Sequence, residues 1–453
     1  MIGRGAMHQR IIGIDLAIRG RQVAQIFDGG VPVGKPLRFG LDAEALERFV
    51  ARVKKGVAPQ TPIRAVMEPT GMAWFPVATW LHDAGIEVIR VKGQRVKALR
   101  RYLSEHAKTD LADAHLLAAI PHFGGRAFNP VHIPTPSRHA LQRLSKQRHR
   151  YREQICAARR RLLDLIRWAA PALEPVLPDL TSRLGLALLG DYFNPHRVLA
   201  ARRDILRCFI ARHAAGSHPR SGHFVEELID GLREAARRTL ALHRGWVDFE
   251  ALQFEIAQEI ELLRMLQRQT EALERRIQSL YREHDPEGLL QTIPGIGPHI
   301  APVLLAILGD VRRFPNQRQL RGFCGLFPTC SASGGVEKPG QRLIKGGNDR
   351  IKRALYLAAD TARRIDPQLA ELYWRLMVRR GHHHKQALCA VANRLVNRIY
   401  RVLKTGRPYE LRAPDGRPID LAEAKQIVRE RYSVPLEIRM TRRRHREPVA
   451  EDA

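Results

Sequence analysis

The first third of the chain alternates short apolar runs with amphipathic segments. Runs with the length and composition of β-strands lie at 11–17, 21–27, 31–39, 63–69 and 87–91. Segments in which apolar residues recur at the three-to-four spacing of a helix lie at 42–56, 72–84, 93–103 and 110–120. Hairpin strands followed by alternating helices and strands predict an α/β domain over residues 1–125, in which Pro121 ends the last helix.

Two long segments of the middle region carry a heptad pattern. Apolar residues keep a three-four spacing over 137–168, interrupted only by Arg148, and again over 263–280. A heptad seam needs a partner helix, which is either the other segment of the same chain or a helix of a second copy. The Arg-rich stretch 171–247 between them has a mixed helical pattern without a recognisable role. Together these segments define a helical, coiled-coil region with an insertion over residues 126–288.

The last third predicts a separate all-α domain over residues 289–405. It opens with TIPGIGP between two predicted helices, which favours a helix-hairpin-helix whose backbone N–H groups, near Gly295 and Gly297, bind a phosphate. The alternative is an ordinary turn that happens to contain glycine and proline. Further helices are predicted at 348–364, 367–379 and 385–404. The Pro- and Arg-rich tail, 406–453, is expected to be a weakly structured basic arm.

The charge of the chain indicates a polyanionic partner. The 76 Lys and Arg residues exceed the 46 Asp and Glu residues, which gives a formal net charge of +30. Because each phosphate contact by Lys or Arg releases counterions, nucleic acid is favoured over a merely solvated basic surface. The 44% hydrophobic content excludes global disorder.

Neither the cysteines nor the apolar runs indicate a secreted or membrane protein. The five cysteines form no C-x-x-C pair and no zinc-type spacing, which fits reduced thiols. The most apolar long run, 293–309, contains glycines, prolines and a histidine, which argues against a membrane span. We therefore expect a cytoplasmic, nucleoid-associated bacterial protein without a membrane partner.

Four carboxylates occupy positions typical of a metal site. The first strand carries Asp15, the central strand ends in Glu68, and Asp110 and Asp113 lie three apart at the start of a helix. This order matches the RNase H-like arrangement, in which acids on neighbouring elements bind Mg²⁺ or Mn²⁺ for phosphodiester chemistry. Taken singly, each residue has an equally good structural explanation as a helix cap, a strand end or an ion-pair partner.

A serine-containing loop supplies a candidate nucleophile. The segment TCSASGG, 329–335, places Ser331 and Ser333 beside glycines that let a DNA backbone approach. On spacing alone, a plain Gly/Ser turn is the better interpretation. Basic residues that follow the loop are candidates for phosphate binding: Arg342, Lys345, Arg350, Lys352 and Arg353.

The combination of motifs resembles one family. GIDLA, VMEPTG, KTDLADA, TIPGIGP, FCGLFPTCSASGG and IKGGNDRIKRALYLAA occur in the order found in the DEDD transposases of the insertion-sequence "one-ten" family, relatives of the pilin-gene invertases. The resemblance implies a RuvC-like N-terminal domain in which Asp15, Glu68, Asp110 and Asp113 bind metal. It also implies that Ser333 is the nucleophile, although the nearby Ser331 leaves a second candidate.

The resemblance further implies how such an enzyme works. It implies recombination of donor and target DNA through a serine–phosphate intermediate, guided by an RNA from the non-coding end of the element. It implies a homo-oligomer, from dimer to tetramer, in which the metal site of one subunit completes the serine site of another. Two other hypotheses stay open: a RuvC-like metal nuclease or junction resolvase that needs no serine, and a non-catalytic nucleic-acid-binding protein.

Overall fold

A computed structural model describes residues 9–102, 109–123, 130–177, 179, 182–214, 222–329, 332–333, 336–337, 343–344 and 346–441. The chain divides into two compact units, Met1–Thr135 and Pro136–Ala453. The first contains a five-stranded mixed sheet with helices, and the second is built mainly of helices. This confirms the predicted combination of an α/β part and a helical part.

The sheet of the first unit contains the five predicted strands. They are β1 (Arg10–Asp15), β2 (Gln22–Asp28), β3 (Val31–Phe39), β4 (Ile63–Met67) and β5 (Glu87–Arg90). The order across the sheet is β3-β2-β1-β4-β5, in which β1, β2 and β3 are antiparallel neighbours and β4 and β5 run parallel to β1. The parallel pairs follow from the helical crossovers after β3 and β4, since parallel strands need long connections.

Helices cover both faces of this sheet. They are α1 (Ala43–Lys54), α2 (Trp74–Asp83), α3 (Gly93–Tyr102) and α4 (Asp110–Phe123). Alternation along β1 sends Ile12 and Ile14 into a core with α1 and α2, and sends Ile11 into a second core with α3 and α4.

The prediction that Pro121 ends α4 is wrong. The proline lies inside the helix, which continues to Phe123. Proline removes one backbone hydrogen bond, the bond that its nitrogen would donate to Leu117. That loss is tolerated here because only two further residues complete the helix.

The two heptad segments pair with each other in one chain. They form α5 (Pro136–Ala169) and α10 (Phe249–His284). Arg161 of α5 binds Glu259 at 2.8 Å, and Arg152 contacts Glu274 at 3.4 Å. Because the partner number falls as the α5 number rises, the helices are antiparallel. Of the two partners left open by the sequence, the structure shows the intrachain one.

Arg148, the polar break in the seam, is buried between these helices. Its guanidinium donates to the backbone oxygen of His299 at 3.0 Å and lies 3.7 Å from the Glu274 carboxylate. The break in the heptad pattern is therefore a polar contact that ties α5 to the segment after α10.

The Arg-rich insertion forms a helical core of its own. It contains α6 (Arg183–Tyr192), α7 (Pro195–Ala200), α8 (Arg203–Ala214) and α9 (Gly222–His243). Apolar residues of these helices pack against the second half of α5 and the first half of α10, for example Ile229 against the cluster that contains Ile166 and Ile256. The insertion thus adds a bundle at one end of the long helix pair.

A second core lies at the other end of the pair. Its helices are α11 (Ala301–Leu308), α12 (Gln317–Cys324), α13 (Asp349–Ala362), α14 (Pro367–Trp374) and α15 (His384–Thr405), and α14 continues into a π-helical turn over Arg375–Arg379. The apolar face of α15 is buried along its length. The predicted helices of this region are confirmed, with the second one shortened by the π-helical turn.

Two expectations for the last third are wrong. The segment before TIPGIGP is a single 3-10 turn, Leu289–Thr292, rather than a full helix, because the Asp285 carboxylate accepts the backbone N–H groups of Leu289 and Leu290 and separates the turn from α10. The tail is structured up to residue 441, where it forms α16 (Leu421–Arg431) and α17 (Leu436–Thr441).

Candidate functional site

Two of the four predicted carboxylates lie side by side at one end of the sheet. Asp15 is the last residue of β1, and Glu68 directly follows β4. In the parallel register Ile14 lies opposite Met67, so the next residues, Asp15 and Glu68, leave the sheet as neighbours. Alternation along both strands places the two acids on the face that α3 and α4 cover.

Gly13 brings the start of α4 to the same place. A Cβ atom on Gly13 would overlap the backbone carbonyl of Ala114, so the helix rests directly on β1. The N-terminal turn of α4, with Asp110 and Asp113, therefore lies at the sheet end where β1 finishes. The elements that carry all four predicted acids converge there.

The two aspartates of α4 have different surroundings. Asp113 is buried and pairs with the guanidinium of Arg100 on α3. Asp110 is exposed and forms part of a shallow cavity of about 540 Å³ together with Lys35 and Arg38 of β3. The cap of the helix is Thr109, whose hydroxyl accepts from the backbone of Ala112 at 3.1 Å. Asp110 is thus not needed as the cap.

Glu68 lies against the start of α3. A Cβ atom on Gly93, the first residue of that helix, would overlap the Glu68 carboxylate. A carboxylate at a helix start is favoured by the positive end of the helix dipole. Gly93 and Arg100 were not predicted from the sequence, since their contacts with the acids arise only when α3 packs beside the end of β4 and beside α4.

The four side chains do not form a ready ligand cluster. Across the ranges that the structure describes, no three His, Cys, Asp or Glu side chains are grouped closely enough to hold a metal ion. Arg100 holds Asp113, and the start of α3 holds Glu68. The donor set nevertheless suits a hard divalent cation, because it consists of carboxylate oxygens that leave one end of one sheet.

The serine loop begins in a small hairpin. Strands β6 (Ala332–Ser333) and β7 (Val336–Glu337) are antiparallel, with Ser333 opposite Val336. Three residues predicted for this site lie outside the described part of the chain: Ser331, Arg342 and Lys345. The structure thus places the predicted nucleophile, Ser333, in a short antiparallel strand pair.

The basic residues after the loop have distinct roles. Lys352 donates to the backbone oxygen of Ile344 at 2.9 Å and its side chain is 15% exposed, so it stabilises the loop. Arg350 is half-buried, and burial lowers the pKa of its guanidinium. Arg353 is exposed near the start of α13. Of these three, Arg353 is the most accessible to a phosphate.

The two glycines of the predicted phosphate-binding turn differ. Gly295 has a positive φ of 84°, and a Cβ atom there would overlap the backbone of Ala358 on α13. A glycine is therefore required at position 295 by packing against α13. Gly297 has no neighbour within 4 Å of such a Cβ, and its carbonyl accepts from the backbone of Ala301 at 3.0 Å. Only Gly297 leaves space for a ligand.

Two family models match the regions that carry these sites. One, described as a transposase and named for the DEDD transposases of IS110, matches residues 12–171. The other, described as the transposase IS116/IS110/IS902 family, matches residues 287–374. The chain belongs to the IS110 family of DEDD transposases. This transposase is therefore an enzyme of DNA cleavage and rejoining, its substrates are DNA, and its family implies dependence on divalent metal in general.

Two relatives of this transposase match most of the chain, and a third matches about a quarter of it. It is 27% identical to an uncharacterized 43.6 kDa protein of insertion element IS110 from Streptomyces coelicolor, over 89% of this chain and 97% of the relative. It is 25% identical to a 44.8 kDa protein of insertion element IS116 from Streptomyces clavuligerus, over 76% and 83%. A pilin gene-inverting protein of Moraxella lacunata is 28% identical over 27% of this chain and 38% of its own.

Proposed function

We propose that this transposase cuts and rejoins DNA through a covalent ester between Ser333 and a DNA phosphate, assisted by divalent metal at Asp15, Glu68, Asp110 and Asp113. The observation that carries the proposal is the convergence of β1, β4 and α4 at one sheet end, each bringing an acid. A bound cation would neutralise acids that otherwise repel the phosphates of DNA. The metal site belongs to a RuvC-like domain in this proposal.

The chemistry of the serine step balances without an added co-reactant. The Ser333 oxygen bonds to phosphorus, the bond from phosphorus to the oxygen of the leaving strand breaks, and the serine proton ends on that oxygen. In the second step the hydroxyl of an incoming strand attacks the same phosphorus and restores the serine. A bound Mg²⁺ or Mn²⁺ would stabilise the developing charge on the phosphate oxygens.

Residues of this chain prepare the acidic site. Asp15 and Glu68 are fixed by neighbouring strands, so their separation depends on the sheet rather than on loops. Arg100 neutralises Asp113 and has to release that carboxylate before it can bind a cation. Asp110 is accessible from solvent at the start of α4.

The remaining parts of the proposal concern partners. A guide RNA from the element would pair with donor and target DNA, and two to four copies of the chain would bring the acidic site of one subunit to the serine loop of another. The basic composition supports binding of both nucleic acids. The turn at Gly297 and the exposed Arg353 are the proposed phosphate contacts in the second unit.

The test is recombination by purified protein supplied with the element's DNA and RNA. Ser333→Ala should lower strand exchange by at least about 10³-fold and abolish a denaturation-resistant protein–DNA adduct, because the nucleophile is gone. Ser331→Ala is the matched control and should retain both. A Ser333→Ala protein that still cleaves DNA would instead indicate the metal nuclease.

The metal site is tested separately. Asp15→Asn and Asp110→Asn should abolish Mg²⁺-dependent cleavage while DNA binding persists, since each removes one carboxylate ligand. The control is Glu44→Gln on α1, which removes an exposed acid that pairs with the exposed Arg48. Unchanged cleavage in both aspartate variants would refute this site.

A further inference from the structure

A basic cleft in the second unit is not part of either predicted site. Two cavities of about 780 and 350 Å³ adjoin, and they share Gln368, Asn397 and Arg398 in their walls. The walls are formed by α14, by the polar face of α15, and by the extended segment 407–412 that follows α15. We name this feature the Arg398 cleft.

The cleft has a large excess of positive charge. Its walls contain six arginines: Arg375, Arg394, Arg398, Arg401, Arg407 and Arg412. The one carboxylate in the walls, Glu410, pairs with Arg412. Within the described part of the chain, four of the six have no carboxylate within ion-pair distance, namely Arg375, Arg394, Arg401 and Arg407. A cleft of this composition favours an anion.

Arg398 is held rigidly at the centre of the cleft. Its side chain is 14% exposed, and its Nη2 lies 3.2 Å from both the Asp366 carboxylate and the Gln368 amide oxygen. Asp366 is fully buried and also accepts from the Tyr409 hydroxyl at 2.6 Å. The guanidinium lies over the Tyr409 ring, 5.3 Å from its centre. These contacts fix the arginine before any ligand arrives.

The polar atoms of the cleft are not all satisfied by the protein. Arg398 Nη1 and the side-chain oxygen of the adjacent Asn397 are buried and have no hydrogen-bond partner among the described residues. A buried guanidinium N–H in this condition calls for water or an anion. Arginine binds phosphate oxygens with charge-assisted, often bidentate hydrogen bonds.

The cleft adjoins the turn that precedes TIPGIGP. The backbone N–H of Tyr409 donates to the Thr292 hydroxyl at 2.8 Å, which ties the segment 407–412 to the 3-10 turn Leu289–Thr292. A nucleic-acid strand bound at Gly297 would therefore pass near the mouth of the cleft. The larger cavity, at about 780 Å³, has the size of a small-ligand pocket.

We propose that the Arg398 cleft binds the sugar–phosphate backbone of a nucleic-acid strand, with one nucleotide inside the larger cavity. Arg398 and the accessible Arg401 and Arg407 bind its phosphates, and the side-chain amides of Gln317 and Asn397 face the sugar and base. The inference rests on the proposed function only in that nucleic acid is the ligand. The strand is DNA or RNA, which share this chemistry.

The experiment measures equilibrium binding of full-length protein to fluorescein-labelled 20-mers of one mixed sequence, as single-stranded DNA, duplex DNA and RNA. Arg401→Gln/Arg407→Gln removes two accessible charges without disturbing the buried Arg398 network. We expect at least about a tenfold loss of affinity for one of the three ligands and a salt slope smaller by about one to two. Arg401→Lys/Arg407→Lys should recover most of the affinity.

The matched control is Arg275→Gln/Arg276→Gln, two exposed arginines of α10 that remove the same charge elsewhere. It should change affinity less than about threefold. Whichever ligand shows the loss identifies the strand that the cleft binds. Equal losses in the cleft and control variants for all three ligands would overturn the inference. Because strand exchange is not measured, a failure of the serine mechanism leaves this result unaffected, and the reverse also holds.

Discussion

Single residues decide how closely the acidic elements approach each other. Gly13 has no side chain where α4 crosses β1, and the carbonyl of Ala114 occupies the space that a Cβ would need. The position of Asp113 relative to Asp15 therefore depends on a missing methyl group. Close packing of this kind transmits even a small change of volume.

Gly13→Ala should lower the free energy of unfolding of the first unit by about 1–3 kcal/mol or more, because the added methyl forces α4 away from the sheet. Urea unfolding followed by circular dichroism measures the change. Gly322→Ala on α12 is the control, since a Cβ there meets nothing within 4 Å and alanine favours a helix. A Gly13→Ala protein as stable as the control would show that α4 does not rest on β1.

The cysteines differ in exposure, and their reactivity is expected to follow. Cys324 is buried at the end of α12, and burial raises the pKa of its thiol to about 12, whereas Cys156 and Cys208 are exposed. Since only the thiolate reacts, iodoacetamide at pH 8 should label Cys156 and Cys208 in the native protein and leave Cys324 unmodified. Peptide mass spectrometry measures this, with urea-unfolded protein as the control in which all three react. Rapid native labelling of Cys324 would contradict its burial.

The sequence pointed to the four carboxylates of the candidate site but not to the residues that contact them. Residue type and position along the pattern pointed to Asp15, Glu68, Asp110 and Asp113, and the structure places their elements together. Arg100 and Gly93 could not be predicted, because each of their contacts joins two elements. The hydrophobic periodicity of one element does not determine how it packs against another. For the same reason Lys352, predicted to bind phosphate, is found on the carbonyl of Ile344.

Hydrophobic periodicity predicted the secondary-structure elements correctly where those elements are buried. Each predicted strand of the first unit is present within about two residues. The strands β1, β2, β4 and β5 are largely buried, whereas β3 is mostly exposed and is held by its pairing with β2. The tail after residue 405 contains more helix than its sequence indicated. Asp420 caps α16 by accepting from the backbone of Glu423 at 2.8 Å, and Ala424 is buried, but a short basic helix has too weak a pattern to outweigh its charge.

Asp285 is the joint between α10 and the segment that follows. It is buried and accepts from the Tyr281 hydroxyl and from the backbone N–H groups of Leu289 and Leu290. Asp285→Ala leaves these donors without a partner, so it should lower the free energy of unfolding by at least about 2 kcal/mol.

Urea unfolding tests this joint as well, with Glu287→Ala as the control. Glu287 is exposed two residues away, and its removal should change stability by less than about 0.5 kcal/mol. Equal stabilities of the two variants would mean that α10 ends for another reason. Protection of the Leu290 amide from hydrogen exchange should fall only in Asp285→Ala.

At the scale of the whole molecule, charge governs association. The net charge of +30 predicts DNA binding that falls steeply with salt. If six or more phosphates are contacted, affinity should drop about 10³-fold or more between 50 and 200 mM salt. Fluorescence anisotropy over a salt series measures the slope, and neutral osmolyte at matched osmolality is the control. An affinity independent of salt would refute electrostatic binding.

Some features of the whole molecule lay beyond sequence reasoning. Heptad spacing predicted a helix pair but left the partner open, since the same seam suits an intrachain or an intermolecular neighbour. No helix among the described ranges has the length and apolarity to cross a membrane. The Arg398 cleft could not be predicted from the sequence. Its arginines come from separate elements and lie among many other arginines along the chain.

The antiparallel pair α5 and α10 has one further consequence. The 34 residues of α5, at about 1.5 Å each, make a rod of about 50 Å with one apolar core at each end. That length equals about 15 base pairs of duplex at 3.4 Å per step. Deleting one facing heptad from both helices would therefore shorten the pair by about 10 Å, or about three base-pair steps, and bring the two cores closer by that distance.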